Sequence, residues 1–197
     1  MDTRTESVPV LDLGGARNID GSFNPGFLAE LRDASHRVGS FQLVGYGATA
    51  EQVDELFGLT RRFFDLPEAD RLALENRKSP HFRGYTRLGH EVTRGRPDVR
   101  EQLDFGPERP ALSGYPAEQP YWLIQGPNLW PDESLPELRS AAMAWADRMC
   151  VVGAEVLRAI AVSLELPEDY FDAAFEGTPA WMARLTHDVG GAVQAAG

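Results

Sequence analysis

A long amphipathic stretch in the C-terminal half sets the tightest limit on the fold of this 197-residue chain. From Leu138 to Leu164, apolar residues recur at steps of three and four positions, which places them on one face of an α-helix. Ser134 and Glu137 have the spacing of a capping box at its start, and Leu166-Pro167 ends it. The pattern predicts one helix of about 28 residues, roughly 40 Å long, which would form the backbone of a domain.

Shorter elements are predicted before this helix. Residues 8–13 and 40–44 have the apolar character of strands. Asn24-Pro25 combines a favoured capping residue with a first-turn proline, so a helix is expected to begin there and to end at Gly39. A strand, a helix and a second strand are therefore expected in the first quarter of the chain.

The next elements follow a second capping box. Thr49 and Gln52 form this box, the apolar stripe of the helix behind it ends at Phe64, and a short helix is predicted over 67–75. Residues 76–134 hold eight of the fourteen prolines and little helical periodicity. We expect that region to be irregular.

Four further short elements complete the prediction. Within the irregular region, strands are expected over 83–86 and 101–105. Behind the long helix, the pattern predicts a short helix over 167–175 and the beginning of a strand over 181–186.

Charge and cysteine usage exclude several classes of partner. The net charge of −11 argues against binding to nucleic acid or to anionic membranes. Cys150 is the only cysteine, so no intrachain disulfide can form, and we expect it to be a small core residue of the long helix. Met1 to Ser7 is polar and charged, and no apolar run approaches the roughly 20 residues of a membrane span. A cytoplasmic protein is expected.

One motif suggests dinucleotide binding. The run from Gly45 to Ala50 fits Gly-x-Gly-x-x-Ala, it follows a predicted strand and opens a helix, and Asp65 lies twenty residues beyond Gly45. A dinucleotide fold needs that acid at the end of a second strand, whereas Asp65 follows a helical pattern here. This hypothesis is the second alternative for the function.

A series of short motifs, in order along the chain, carries a more specific signal. They are Val8-Pro9-Val10-Leu11-Asp12-Leu13, Gly39 to Gly47, Arg62-Phe63-Phe64-Asp65-Leu66-Pro67, Arg83-Gly84-Tyr85, Glu91, Asp98 with Glu101, Phe105-Gly106 and Gly126-Pro127-Asn128-Leu129-Trp130-Pro131. Their order and spacing resemble the isopenicillin N synthase-like branch of the non-haem iron(II) and 2-oxoglutarate-dependent oxygenases. The resemblance covers about residues 8 to 186, and Tyr46 stands where the family has a histidine.

The resemblance implies a helix-rich α+β fold. It corresponds to the N-terminal part of a double-stranded β-helix (jelly-roll) oxygenase, with the catalytic barrel mostly missing. Residues 1–186 would form this N-terminal region, and residues 187–197 would be a flexible or aberrant tail. The implied function is the oxidation of a small-molecule substrate with iron(II), oxygen and 2-oxoglutarate.

The iron site that the resemblance implies cannot be found in the sequence. Enzymes of this class bind iron with two histidines and one carboxylate, two of them in a His-x-Asp pair, and bind 2-oxoglutarate with an Arg-x-Ser pair. The chain has four histidines, none followed two residues later by an acid: His36, His81, His90 and His187. We therefore assign no catalytic residue and no metal ligand to the chain, so the ligands for iron(II) and 2-oxoglutarate are expected to be absent from it.

The residues around His187 leave three explanations open. Arg184 to His187 resembles the family strand that precedes the iron site, and Asp188-Val189-Gly190-Gly191 resembles a segment that normally follows the first ligands. An internal deletion, a truncated or frame-shifted end, and coincidence would each account for this order.

Arg83 and Tyr85 are the predicted substrate-binding residues, because the matching stretch of the family borders the mouth of the active site. The alternative is that Tyr85 packs in the core and Arg83 pairs with an acidic neighbour. His81 and His90 are expected on the surface, and Trp122 and Trp130 are expected to anchor the irregular region.

A non-catalytic interaction module, or a degenerate fragment, is the main alternative function. If the catalytic barrel is missing, one face of the long helix lacks its cover. Trp145, Met149, Val152 and Val156 would then be exposed in part, and we expect the isolated chain to self-associate. A sharp monomer peak with cooperative unfolding would contradict this expectation.

Overall fold

The computed structural model describes residues 7–177 and 179–188. The helices are α1 (Pro25–Arg37), α2 (Ala50–Phe64), α3 (Glu68–Ala73) and α4 (Glu137–Ser163). The strands are β1 (Val10–Asp12), β2 (Gln42–Val44), β3 (Gly84–Thr86), β4 (Val92–Thr93), β5 (Arg96–Pro97), β6 (Arg100–Phe105) and β7 (Ala183–Asp188). Single 3₁₀ turns lie at Leu13–Gly15, Asn76–Lys78, Pro120–Ile124 and Asp172–Ala174.

The chain divides into two compact units. The first unit comprises the described residues of Met1–Val53 and Asp147–Pro179, and the second comprises those of Asp54–Ala146 and Ala180–Gly197. Each unit has its own hydrophobic core.

In the first unit, β1 and β2 pair in parallel and α1 connects them. Asn24 caps α1 as predicted, because its side-chain oxygen accepts a hydrogen bond from the N–H of Gly26 at 2.8 Å. The N–H of Gly39 donates to the carbonyl of Ala34 at the other end of this helix. The buried core residues of the unit are Leu11, Ala16, Phe23, Phe27, Leu31 and Ala159.

The predicted capping box of α2 is confirmed. The Thr49 N–H donates to Gln52 Oε1 at 3.1 Å, and the Gln52 N–H donates to Thr49 Oγ1 at 3.3 Å. Towards its C-terminal end, α2 buries Leu59, Phe63 and Phe64 in the core of the second unit.

The second unit contains an antiparallel sheet in the order β3-β6-β7. Tyr85, Leu103 and Leu185 are in register across it, and all three are buried in the core. Because successive side chains of a strand point to opposite faces, Gln102 and Asp104 lie on the other face. Both are buried although they are polar, so one face of this sheet carries the apolar core residues and the other carries buried polar side chains.

The long helix was predicted within one residue, since α4 contains 27 residues and begins at Glu137. The short helix predicted over 167–175 is wrong, because that segment forms only the 3₁₀ turn Asp172–Ala174. The last strand begins at Ala183 and continues to Asp188, so His187 and Asp188 belong to β7 and not to a tail. The rest of the predicted tail, residues 189–197, lies outside the described residues.

The burial of α4 differs from the prediction at one position. Cys150 is exposed, contrary to the expected core position. The reason is the helical period: the apolar stripe passes through Met149 and Val152, and Cys150 falls beside it. Trp145, Met149, Val152 and Val156 are only partly buried, and the self-association expected from them stays a prediction. Within the described part of the chain, no helix is long and apolar enough to cross a membrane.

Candidate functional site

Arg83, one of the two predicted substrate-binding residues, is a buried cation in the second unit. The residue is 5% exposed, and Nη1 donates to the carbonyls of His81 at 3.0 Å and Phe82 at 3.1 Å. Its Nε is buried without a hydrogen-bond partner, and it forms no ion pair with a described residue. Burial lowers the pKa of the guanidinium, while the charges of Asp104 and Glu108 act in the opposite direction. The predicted pairing with an acidic neighbour is therefore not formed as an ion pair.

A glycine makes room for this guanidinium. A Cβ atom at Gly106 would lie 2.3 Å from Arg83 Nη2 and 3.0 Å from its Nε. Asn128 holds Gly106 in place, because Oδ1 accepts from the Gly106 N–H and Nδ2 donates to the Gly106 carbonyl, both at 2.8 Å. This role of Asn128 was not predicted from the sequence, although its place in the motif of residues 126–131 indicated that the residue matters.

Glu108 accepts hydrogen bonds from Asn128 and Trp130, next to Gly106. Burial raises the pKa of its carboxyl, but hydrogen bonds from Trp130 Nε1 (3.0 Å) and from the side chain and backbone of Asn128 outweigh it, so the pKa is lowered. Trp130 is buried, as predicted for an anchor. The same prediction for Trp122 is wrong: it is exposed, because it lies on a 3₁₀ turn whose apolar side chains are exposed together.

The lowered pKa of Glu108 predicts a pH dependence of stability. An acid whose folded-state pKa is depressed stabilises the fold above its ordinary value, 4.5, and this contribution is lost as the pH falls through the folded-state pKa. We expect Glu108→Gln to lower the free energy of unfolding at pH 7 by about 1 kcal/mol. Urea unfolding at several pH values should show that difference shrinking below about pH 4. Glu133→Gln, at an exposed position, is the control and should leave the pH profile unchanged.

Tyr85, the second predicted residue, is buried in the core. Its hydroxyl donates to Glu101 and accepts from Arg71 Nη1 at 3.2 Å. Its ring meets Phe63 edge to face, with centroids 6.1 Å apart. Burial and the neighbouring carboxylate raise the pKa of the phenol. The position fits the alternative of core packing, and contact with substrate stays a prediction for both Arg83 and Tyr85.

Glu101 lies in one of the family motifs, and its role as the centre of a polar cluster was not predicted from the sequence. One carboxylate oxygen accepts from Tyr85 and from Arg71 Nη1 at 2.5 Å, and the other lies 3.0 Å from His187 Nδ1. Glu101 and His187 are directly opposite across β6 and β7. This pairing between distant segments could not be read from the spacing of residues along the chain.

His187 also borders a cavity of about 220 Å³ in the second unit. Its ring lies against Phe64, with centroids 5.3 Å apart. The cavity is lined by Phe57, Thr60, Arg61, Phe64, Asp65, Thr186 and His187. On the opposite face of the sheet, Arg184 Nε pairs with Asp104 Oδ1 at 2.7 Å, and Gln102 Nε2 donates to Asp104 Oδ2 at 3.2 Å.

The residues present do not fit an iron centre. Across residues 7–177 and 179–188, no three His, Cys, Asp or Glu side chains come together in a way that could hold a metal ion. His81 Nδ1 lies 2.7 Å from the Leu123 carbonyl, and His90 Nδ1 lies 3.4 Å from Arg77. Both oxygens of Glu101, which faces His187, are already engaged. No chemical step can be assigned to the described residues on this basis.

The glycine turn of the dinucleotide hypothesis has a packing role instead. A Cβ atom at Gly45 would lie 2.0 Å from Asp12 Oδ1, and this oxygen also accepts from the Gly14 N–H at 2.9 Å. The N–H of Asp65 donates to the carbonyl of Arg61, so Asp65 lies at the end of helix α2 and not at the end of a strand. The hypothesis therefore lacks the acid that a ribose hydroxyl requires.

A comparison with protein families matches residues 8–133 to a model described as the N-terminal region of the non-haem dioxygenase in morphine synthesis. A 2-oxoglutarate-dependent dioxygenase of Dothideomycetidae sp. is 36% identical over 173 residues, which are 88% of this chain and 45% of that protein. A 2-oxoglutarate-dependent dioxygenase of Gibberella zeae is 37% identical over 170 residues, covering 86% of this chain and 44% of that protein. The chain thus spans about half the length of these relatives.

Solved structures of low sequence identity share the fold. A full-length Neurospora crassa protein in complex with alpha-KG and thymine matches with a TM-score of 0.70 at 22% identity, over 95% of this chain and 57% of that one. A putative 2OG-Fe(II) oxygenase family protein from Caulobacter crescentus matches with a TM-score of 0.67 at 23% identity, over 85% of this chain and 52% of that one.

Proposed function

The chain belongs to the non-haem dioxygenase family, whose N-terminal region it matches, and from this we propose that it is the N-terminal part of an oxidoreductase that oxidises a small molecule with iron(II), oxygen and 2-oxoglutarate. The names of the relatives support the reaction type, because they are 2-oxoglutarate-dependent dioxygenases. The thymine bound to a protein of the same fold supports a small-molecule substrate.

The observation that carries the proposal is the two-faced sheet β3-β6-β7. One face completes the core of the second unit, while the other carries Gln102, Asp104 and Arg184, of which the first two are buried. A few polar groups set in an otherwise apolar unit can orient a ligand, and a wall that carries them would serve a substrate site. We assign this role to the chain, with the double-stranded β-helix contributed mostly by residues outside those described.

Arg83 is the residue to which we assign substrate contact. Its Nε and Nη2 donate to no described atom, and they lie on the same edge of the guanidinium. That edge is buried beside Gly106, so its cover must move before it can hold a carboxylate through two parallel hydrogen bonds. Tyr85 would reach a substrate only if Glu101 and Arg71 released its hydroxyl, so we keep it as a residue that fixes β3.

Iron(II) would supply the oxygen chemistry when bound, but the described residues do not fit it. In the proposal, the iron and 2-oxoglutarate ligands therefore belong to a part of the protein outside these residues. If the encoded protein contains no iron or 2-oxoglutarate ligands either, their absence from the described residues favours the alternative function, a non-catalytic interaction module.

The test compares the gene product as encoded with the 197-residue chain. Sequencing the source gene from codon 180 shows whether His-x-Asp, a later His and an Arg-x-Ser follow. Both proteins are then incubated with iron(II), ascorbate and 2-oxoglutarate, and succinate is measured. We expect iron-dependent succinate from the encoded product, abolished by a chelator, and none from the 197-residue chain. An encoded product that contains no such ligands and forms no succinate would support the interaction module instead.

A further inference from the structure

Positive charge is concentrated in one segment of the second unit. Residues 76–100 contain seven Lys and Arg but two Asp and Glu, a net charge of +5, whereas the whole chain has a net charge of −11. A local field of opposite sign to the rest of the molecule attracts anions to one place and repels them from the remaining surface.

The acids of the segment do not neutralise its exposed cations. Glu91 and Asp98 both pair with Arg100, at 2.9 and 3.0 Å. Arg87 pairs with Glu75 at 2.7 Å. Four exposed cations form no ion pair with any residue that the structure describes, and we call them the basic surface: Arg77, Lys78, Arg94 and Arg96.

Backbone strain marks one of these cations. The hairpin of β4 and β5 turns through Arg94 (φ 52°) and Gly95 (φ 78°), both in the left-handed region, as in a type I′ turn. Asn, Asp or Gly is favoured at the position of Arg94, and a larger residue there costs roughly 1–2 kcal/mol. Its side chain is exposed and makes no hydrogen bond or ion pair with the described residues, so no side-chain contact with them offsets this cost. Backbone strain that is retained at an exposed position indicates that the side chain has a function, such as binding a ligand.

Contacts join the two halves of the basic surface. Arg77 Nη2 lies 3.4 Å from His90 Nδ1, and the neighbouring Gly89 N–H donates to the Asp98 carbonyl at the base of the hairpin. The 3₁₀ turn that carries Arg77 and Lys78 therefore adjoins the hairpin. Along the chain, Arg83 and strand β3 lie between this turn and the hairpin.

We propose that the basic surface binds the anionic group of a small molecule, a carboxylate or a phosphate, and that this group belongs to the substrate. The second half of this statement rests on the proposed function. Four unpaired cations around one hairpin raise the local concentration of an anion and orient its approach. Arg94 and Arg96 at the hairpin are the specificity-determining residues.

The test measures anion binding to the 197-residue chain, which requires neither iron nor 2-oxoglutarate. The variant Arg94→Asn with Arg96→Gln removes two charges, and Asn is favoured at that turn, so its thermal unfolding should match or exceed that of the wild type. Arg37→Gln with Arg61→Gln removes the same charge elsewhere and is the control. Citrate and pyrophosphate are titrated by calorimetry at low ionic strength.

We expect the hairpin variant to bind the preferred anion about five- to tenfold more weakly than the control variant, with the difference vanishing near 0.5 M salt. Tighter binding of citrate would identify a carboxylate, and tighter binding of pyrophosphate a phosphate. Equal binding by the two variants overturns the proposal. So does a single-stranded oligonucleotide that binds the wild type more tightly than both small anions, since the surface would then serve a polymer. Because succinate formation is measured separately, failure here leaves the proposed function standing.

Discussion

Alanine in place of Glu101 is expected to lower the free energy of unfolding by about 3–5 kcal/mol, the usual cost of removing one partner of a buried ion pair. The carboxylate is buried and accepts hydrogen bonds from Arg71 and Tyr85, while its second oxygen faces His187. Without it, the Arg71 guanidinium would lose its counter-charge and the Tyr85 hydroxyl its acceptor in the core.

Urea unfolding followed by circular dichroism measures this loss. A double-mutant cycle with Glu101→Gln and Arg71→Met separates the ion pair from the rest of the cluster. The double variant should lose less free energy of unfolding than the two single variants lose together. Glu133→Ala, at an exposed position, is the control for a general loss of negative charge. A Glu101→Ala protein within about 1 kcal/mol of wild type would show that the cluster contributes little, as an exposed pair does.

Gly84→Ala is the second substitution for which we expect a large effect, a loss of roughly 3–5 kcal/mol from backbone strain and overpacking together. Gly84 has φ 110°, which side chains rarely allow. A Cβ atom there would lie 2.3 Å from the Leu74 carbonyl oxygen and 2.9 Å from Leu129 Cδ1. The carbonyl is backbone, so it cannot move aside as the end of a flexible side chain can.

Gly58→Ala is the matched control for this substitution. Gly58 lies inside α2, and a Cβ atom there would meet nothing within 4 Å. Alanine is the better helix former, so this variant should gain about 0.5–1 kcal/mol. The same glycine-to-alanine change is therefore expected to lower the free energy of unfolding at position 84 and to raise it at position 58, and one denaturation experiment measures both. Equal effects would mean that the close approach at Gly84 does not determine the stability of β3.

Local patterns were sufficient to predict most elements. The capping box of Thr49 and Gln52 and the cap at Asn24 were recognisable because each uses atoms within three residues of one another. Helix α4 was recognisable because its apolar period persists for about seven turns. The segment 167–175 also offered a proline start and apolar residues, but it forms a 3₁₀ turn, since so short a helix is not stable without tertiary contacts.

The candidate site was only half predictable. Arg83 and Tyr85 stood out through a motif, yet the sequence could not show that Tyr85 is held in the core while Arg83 keeps one edge of its guanidinium without a partner. The contribution of Asn128, which holds Gly106 against Arg83, depends on a contact between residues 22 positions apart. The pair Glu101 and His187 is separated by 86 positions.

The amino-acid sequence by itself determined the order of most helices and strands, the family resemblance and the absence of a His-x-Asp pair, because each depends on residues close together along the chain. Only the tertiary structure decided which polar groups are paired. It joined Glu101 to His187 and Asp104 to Arg184, and among the described residues it left Arg83, Arg94 and Arg96 without a carboxylate partner. The reason is physical: the interaction of two charges depends on their distance and burial, and strand register sets both.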